Sequence, residues 1–203
     1  MTLFMSKLMS GIMELLIVSV IPFITWLIWS RKKVGFFDWI GLKKVQTQQK
    51  GRLVQTIFGF TLLFTLFSIV VFSWFDSSKT ATADFSGKGI GALPAILAYA
   101  ILGTALPEEI FFRGFLLKRL QRKLGFLGVN LVQSLLFGLI HGYMFIQLIG
   151  DLKAMAIFAF ISLIAFVLGA INEKKANGSI LPSVFIHALA NTVVGLLFAF
   201  SLI

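Results

Sequence analysis

The sequence predicts an all-α protein, a polytopic transmembrane helix bundle of about six spans. Three observations carry this. Of the 203 residues, 58% are hydrophobic and only 13% charged, against roughly 45–50% and 25% in a soluble domain. The apolar residues gather in runs long enough to cross a hydrocarbon core, which takes about 20 residues with a range of about 17–25. Lysine and arginine concentrate in the segments between those runs. Residues 1–203 read as a single integral membrane domain, with no internal repeat and no soluble module longer than the 31–52 loop.

The first run, 11–30, is too long for a signal-peptide core, and no small-residue cleavage pattern follows it. "RKK" at 31–33 closes it as a topogenic flank, so the segment is expected to stay in the mature protein. Further spans are expected at 53–75, 90–117, 126–149, 154–172 and 179–203. Orientation follows from the basic residues, which are retained on the cytoplasmic side. The loop 31–52 holds seven, 118–123 holds four and 173–175 holds two, while the alternating segments 1–10, 76–89 and 150–153 hold one, two and one. This predicts a multi-pass protein of the cell membrane with both termini outside, and it accounts for every lysine and arginine except Arg113.

The net charge of +10 belongs to these membrane-flanking loops. A nucleic-acid footprint requires a basic patch on a soluble module, so membrane lipids with anionic headgroups are the expected partner and nucleic acid is not. Each basic residue close to such a surface contributes about 1 kcal/mol. The chain has no cysteine, which removes disulfides, thiolate nucleophiles and thiolate metal sites together.

Six ionisable groups fall at membrane depth: Glu14, Glu108, Glu109, Arg113, His141 and His187. Burying a charge there costs at least about 2.5–3.5 kcal/mol, so such groups face the bundle interior and form partnerships. Glu14 lies near the end of its span and reaches the interface. In "LPEEIFFRGF" (106–115), Glu109 and Arg113 stand at i and i+4 and can pair, while Glu108 is turned about 100° from Glu109. One carboxylate is thereby neutralised beside another on a different face. "FGLIHG" sets Phe137 one turn before His141, with Gly138 and Gly142 as a small-xxx-small pair that admits a neighbouring helix. "HALAN" sets His187 and Asn191 on one face. "LPEE" is also how a helix begins, with proline in its first turn and acids near the positive end. On that reading the third span ends at Leu106 and an interfacial helix starts at Pro107.

At about 1.5 Å per residue, Glu109 counted from Lys118 lies about 13 Å below the cytoplasmic surface. On the same rise, His187 counted from Asn177 lies about 15 Å deep. His141 counted from Lys123 comes to about 27 Å, unless its span begins near Asn130. Hydrolysis needs a base for water and donors for the oxyanion. Glu108 can take the proton, a histidine can orient the water, and the His187/Asn191 face offers two donors. A glutamate with two histidines (Glu108, His141, His187) is equally a ligand set for an open zinc site, so the cofactor is either none or zinc. Other intramembrane chemistries fit less well. There is no HExxH and no GxSG, and all four aspartates (Asp38, Asp76, Asp84, Asp151) fall in expected loops. Ser183, one turn before His187, is the weakest candidate for a nucleophile.

"EEIFFR", "FGLIH" and "HALAN", in that order on successive apolar helices, resemble the EExxxR, FxxxH and HxxxN/B motifs of the CAAX-protease and bacteriocin-processing (Abi) family. The resemblance covers about residues 90–195. It implies an intramembrane endopeptidase in which Glu108 is the general base and His141 the water-orienting partner. His187 and Asn191 would be the oxyanion donors, with Glu109, Arg113 and Phe137 in support. Metal use in the family is argued both ways. Members commonly have more than six spans, so the chain reads as trimmed on its N-terminal side.

The expected substrate is a peptide or membrane protein presented within the bilayer and entering from the cytoplasmic side. Leader or signalling peptides come ahead of prenylated ones, and peptide maturation or bacteriocin self-immunity is the setting. Two rival readings remain. A non-catalytic immunity or scaffold protein would keep the same helices, and Glu108→Gln and His187→Ala variants with full immunity would favour it. A proton-coupled transporter would use Glu108 and His141 as a relay, but transporters usually carry internal repeats and broken helices, and only Pro107 suggests a break.

Overall fold

A computed structural model describes residues 1–74 and 80–203. Phe75, the last residue of the expected second span, and Asp76, at the start of the expected 76–89 loop, lie outside the described residues. Among those described, every regular element is helical. The α-helices are α1 (Leu3–Trp29), α2 (Phe36–Ile40), α3 (Lys50–Phe72), α4 (Leu93–Ala98), α5 (Leu106–Glu109), α6 (Lys118–Ile149), α7 (Asp151–Ala170) and α8 (Leu181–Ala199). Wider π-helical turns occupy Tyr99–Ala105, Ile110–Leu117 and Ile171–Lys175. The fold is all-α, as expected.

Five helical runs among the described residues are long and apolar enough to cross a membrane, and the third, Gly89–Ile149, has 61 residues. At about 1.5 Å per residue it would reach roughly 90 Å, about three times the hydrocarbon core, long enough for more than one crossing. The chain breaks the run at Gly125, where φ is 67° and ψ 170°, a conformation that is essentially glycine-only. The third and fourth expected spans are the two sides of this break. A depth for His141 counted along a straight helix from Lys123 therefore does not apply. Gly150, with φ 77° and ψ 168°, makes the same kind of turn between α6 and α7.

Two of the aspartates expected in loops are helical instead: Asp38 lies within α2 and Asp151 opens α7, where an acid suits the helix dipole. Asp84 sits in a short 3₁₀ turn, Ala83–Phe85.

The chain divides into two compact units. The first comprises Met1–Ser19, Gly51–Pro107 and Val184–Ile203. Its core joins Phe85, Ala92, Ala95 and Ile96 to Val194, Phe198 and Ala199 of the last helix. Small residues allow the close crossings. A Cβ on Gly11 would stand 2.9 Å from the Leu102 Cβ, and one on Gly195 would stand 2.7 Å from Ile96. Lys7, near the start of α1, pairs with Asp84 at 2.8 Å and donates to the Ala81 carbonyl. Much of α1 and α3 presents exposed apolar side chains, such as Ile17, Phe58 and Leu62, as a lipid-facing surface requires.

The second unit comprises Val20–Lys50 and Glu108–Ser183. Its main packing is α6 against α7. The Gly138/Gly142 pair admits a helix as expected, and that helix is α7. A Cβ on Gly138 would meet Ser162 Oγ and stand 2.6 Å from the Phe158 carbonyl, and one on Gly142 would stand 2.9 Å from the Phe158 Cβ. The same seam carries a buried polar set. Asn130 Nδ2 donates to the Phe166 carbonyl at 2.9 Å, and Gln133 Nε2 donates to Asn130 Oδ1 at 2.9 Å. Gly138→Val should overpack the seam, and overpacking costs about 1–3 kcal/mol. A lower thermal midpoint in detergent is the expected result, whereas Leu139→Val, at a position 58% exposed, should hardly change it.

The basic 31–52 segment is more ordered than a loop. Gly41, with φ +83°, ends α2, and its carbonyl accepts from Ile180 N at 2.9 Å. Ser179 Oγ donates to the Lys43 carbonyl at 2.7 Å. Lys118 Nζ reaches Glu173 Oε1 at 2.6 Å and the Gly178 carbonyl at 2.7 Å. Arg119 lies over the Trp39 ring at 3.9 Å and donates to its carbonyl. Together these contacts tie α2 and the residues after it to the start of α6 and to the turn at 173–180.

Candidate functional site

In the second unit, the EExxxR segment runs from α5 into the π-helical turns Ile110–Leu117. Arg113 Nη1 lies 3.1 Å from Glu109 Oε1, with both side chains fully buried. This is the i, i+4 pair expected from spacing. Glu108 is only half-buried, in keeping with its turn onto another face. Gly114 follows the arginine for a steric reason: a Cβ there would stand 2.7 Å from the Ile40 carbonyl, so only glycine lets α2 close on this helix.

Phe137 joins the two charged motifs of this unit. The Arg113 Cζ sits 4.4 Å from its ring centroid, and the His141 ring is 4.4 Å away with its plane tilted 40°. Phe112 meets the same ring edge-on at 4.9 Å. The phenylalanine is therefore a spacer between guanidinium and imidazole. His141 Nδ1 is 2.9 Å from the Phe137 carbonyl. A carbonyl only accepts, so in the neutral ring Nδ1 carries the proton and Nε2 keeps its lone pair.

In the first unit, His187 and Asn191 lie one turn apart on α8. His187 is 8% exposed, and its ring faces Phe64 of α3 at 6.2 Å. Asn191 Nδ2 donates to Thr104 Oγ1 at 2.9 Å. Thr104 was not singled out by sequence; a hydroxyl in an apolar helix usually serves its own backbone, and its partner here is distant in the chain. Glu14 is exposed on α1, as expected for a residue with no part in a site.

Ser183 is buried and its hydroxyl is in use. It donates to the Ile180 carbonyl at 3.0 Å and accepts from Asn172 Nδ2 at 2.7 Å. It closes the start of α8 and is not arranged as a nucleophile.

The zinc alternative can be tested on the donors. Among the described residues, no group of three or more His, Cys, Asp or Glu side chains is arranged to hold a metal ion. Glu108 and His141 belong to one unit and His187 to the other. No such three-donor group forms among the described residues of either unit, and no step below passes through a metal.

Residues 90–193 match the family model described as type II CAAX prenyl endopeptidase Rce1-like, which is just over half of the 203 residues. The chain belongs to the Rce1-like family. It is thus an intramembrane peptidase of the CAAX type, and its substrate is a peptide or protein. The match begins just before α4 and ends in α8, so it spans all three motifs of this Rce1-like chain. No curated protein and no solved structure matches it.

Proposed function

We propose that this Rce1-like chain hydrolyses a peptide bond with a water activated by Glu108. The observation that carries the reading is the unequal state of the two glutamates. Glu109 is fully buried against Arg113 at 3.1 Å, whereas Glu108 is half-buried on an adjacent face. A carboxylate fully enclosed in an ion pair has no approach for a water or a substrate, whereas Glu108 is partly accessible.

In the proposed reaction, Glu108 takes a proton from water as the oxygen attacks the scissile carbonyl. His141 Nε2 accepts a hydrogen bond from the same water and orients it. The new C–O bond leaves negative charge on the former carbonyl oxygen, which His187 and Asn191 receive as hydrogen-bond donors. Glu108 then gives the proton to the amide nitrogen as the C–N bond breaks. Glu109, Arg113 and Phe137 hold His141 and the carboxylate in place. The basic segments 31–52, 118–123 and 173–175 face the cytoplasm in this reading, both termini lie outside, and substrate enters from the cytoplasmic side.

The family description names a CAAX prenyl endopeptidase; leader or signalling peptides are the other substrate class proposed. The test offers the purified protein in detergent both a farnesylated CAAX peptide and an unprenylated leader peptide, with zinc content measured in parallel. Wild type should cleave one of them. His141→Ala should lower kcat about 10²-fold, the low end of what a positioned acid–base partner supplies. Unchanged turnover in His141→Ala would remove the histidine from the mechanism.

A further inference from the structure

We propose that Thr104, which lies outside the three motifs, is a positioning residue that fixes the amide of Asn191 in its donor orientation. The inference rests on the proposed role of Asn191 and goes one step beyond it.

Thr104 lies in the π-helical turns Tyr99–Ala105. Its Oγ1 is 2.9 Å from the Ala100 carbonyl and 3.4 Å from the Tyr99 carbonyl. Both are acceptors only, so the hydroxyl proton is spent on its own helix. What Oγ1 has left to offer is a lone pair. A partner in α8 must therefore donate, and Asn191 does so through Nδ2 at 2.9 Å.

That one bond settles two things about a planar carboxamide. It decides which end carries nitrogen, because an amide turned the other way would set Oδ1 against an oxygen with no proton to give. It also fixes the plane, and with it the direction of the second Nδ2 hydrogen. An oxyanion needs that hydrogen; the carbonyl end of the same amide would repel it. A preorganised donor costs no reorganisation at the moment of reaction, and one such donor is worth about 10²–10³ in kcat.

The backbone geometry supports the contact. Leu102 and Gly103 pack against Gly11 of α1, and Gly195 of α8 packs against Ile96 at distances that exclude a Cβ. The threonine is thus held between two close crossings, and the 2.9 Å bond spans 87 positions of sequence. A threonine that served only its own helix would need no partner on α8.

The experiment uses the full chain in detergent and the peptide that wild type cleaves, farnesylated CAAX or leader. Thr104→Val keeps the shape and removes the hydroxyl. It should lower kcat about tenfold with KM within about twofold, since a misdirected donor loses part of the effect of a missing one. Thr104→Ser restores the lone pair and should return kcat to within about twofold of wild type. On an Asn191→Ala background, Thr104→Val should add nothing, because residues that act as one unit are not additive. Rates are taken per folded molecule after size exclusion, and Thr104→Ala replaces the valine variant if that fails to fold.

Several outcomes would overturn the proposal: full kcat in Thr104→Val, a serine variant as slow as the valine one, or an undiminished effect without Asn191. Asn191→Ala at wild-type rate would instead remove the oxyanion role itself. A slow Asn191→Ala beside a normal Thr104→Val would remove only Thr104. A wild type that cleaves neither peptide takes both roles with it.

Discussion

Glu108→Gln is expected to lower peptide cleavage about 10³-fold while leaving the protein folded, within the range that general base catalysis supplies. The substitution keeps size and hydrogen bonding but removes the ability to take a proton from water. Because Glu108 is only half-buried and the adjacent Glu109 carries the ion pair to Arg113, the change leaves that pair intact. The thermal midpoint should stay within a degree or two of wild type. Glu109→Gln should behave in the opposite way, since it strips the partner from a fully buried guanidinium; stability falls first, and activity follows it. The pair of variants separates a base from a structural carboxylate at adjacent positions. Turnover of the farnesylated or leader peptide by Glu108→Gln at the wild-type rate would end the water-activation reading.

What could be read from the sequence, and what could not, divides along the range of the interactions. The Glu109–Arg113 pair was legible because both partners sit on one helix and the 3.6-residue period brings i and i+4 together. The Gly138/Gly142 face was legible for the same reason, although its partner α7 was not named by it. The spans themselves followed from hydropathy, with errors at their ends. The first helix starts at Leu3 rather than near residue 11, because Ser6, Lys7 and Ser10 hide the apolar run while Lys7 is in fact neutralised by Asp84 at 2.8 Å. Such a contact joins distant parts of the chain, and no local pattern announces it.

The same limit applies to the site. Phe137 was read as one turn before a histidine and, through the family resemblance, as a supporting residue, yet its ring lies against both Arg113 and His141, a contact between motifs that spacing within either one does not contain. The π-helical turns were equally hidden, since nothing in "YAILGTA" or "IFFRGFLL" distinguishes them by period from an α-helix. They matter because an added residue per turn re-aims the side chains that follow, and such turns recur at functional sites. The 31–52 segment was read as charge alone. Its order comes from backbone groups, such as the Gly41 carbonyl accepting from Ile180 N, whose partners the sequence does not reveal.

Arg113→Met should be the most destabilising single change in the motif region. It leaves the Glu109 carboxylate buried without its cation, and breaking a buried pair in this way costs about 3–5 kcal/mol. The guanidinium also leaves the face of Phe137, where a desolvated cation contributes about 0.5–2 kcal/mol, so the ring that abuts His141 loses one of its supports. A large fall in the thermal midpoint in detergent is expected. The double variant Glu109→Leu/Arg113→Met removes both charges at once and should recover most of that loss, because a buried pair replaced by apolar side chains of similar size is often neutral. Activity should not recover with it. If the pair is kept to hold Phe137 and His141 in position rather than for stability, the double variant will be folded and slow, with the Phe137 ring beside His141 no longer braced by the guanidinium. A double variant that regains stability and wild-type kcat together would show that the ion pair has no part in positioning the histidine.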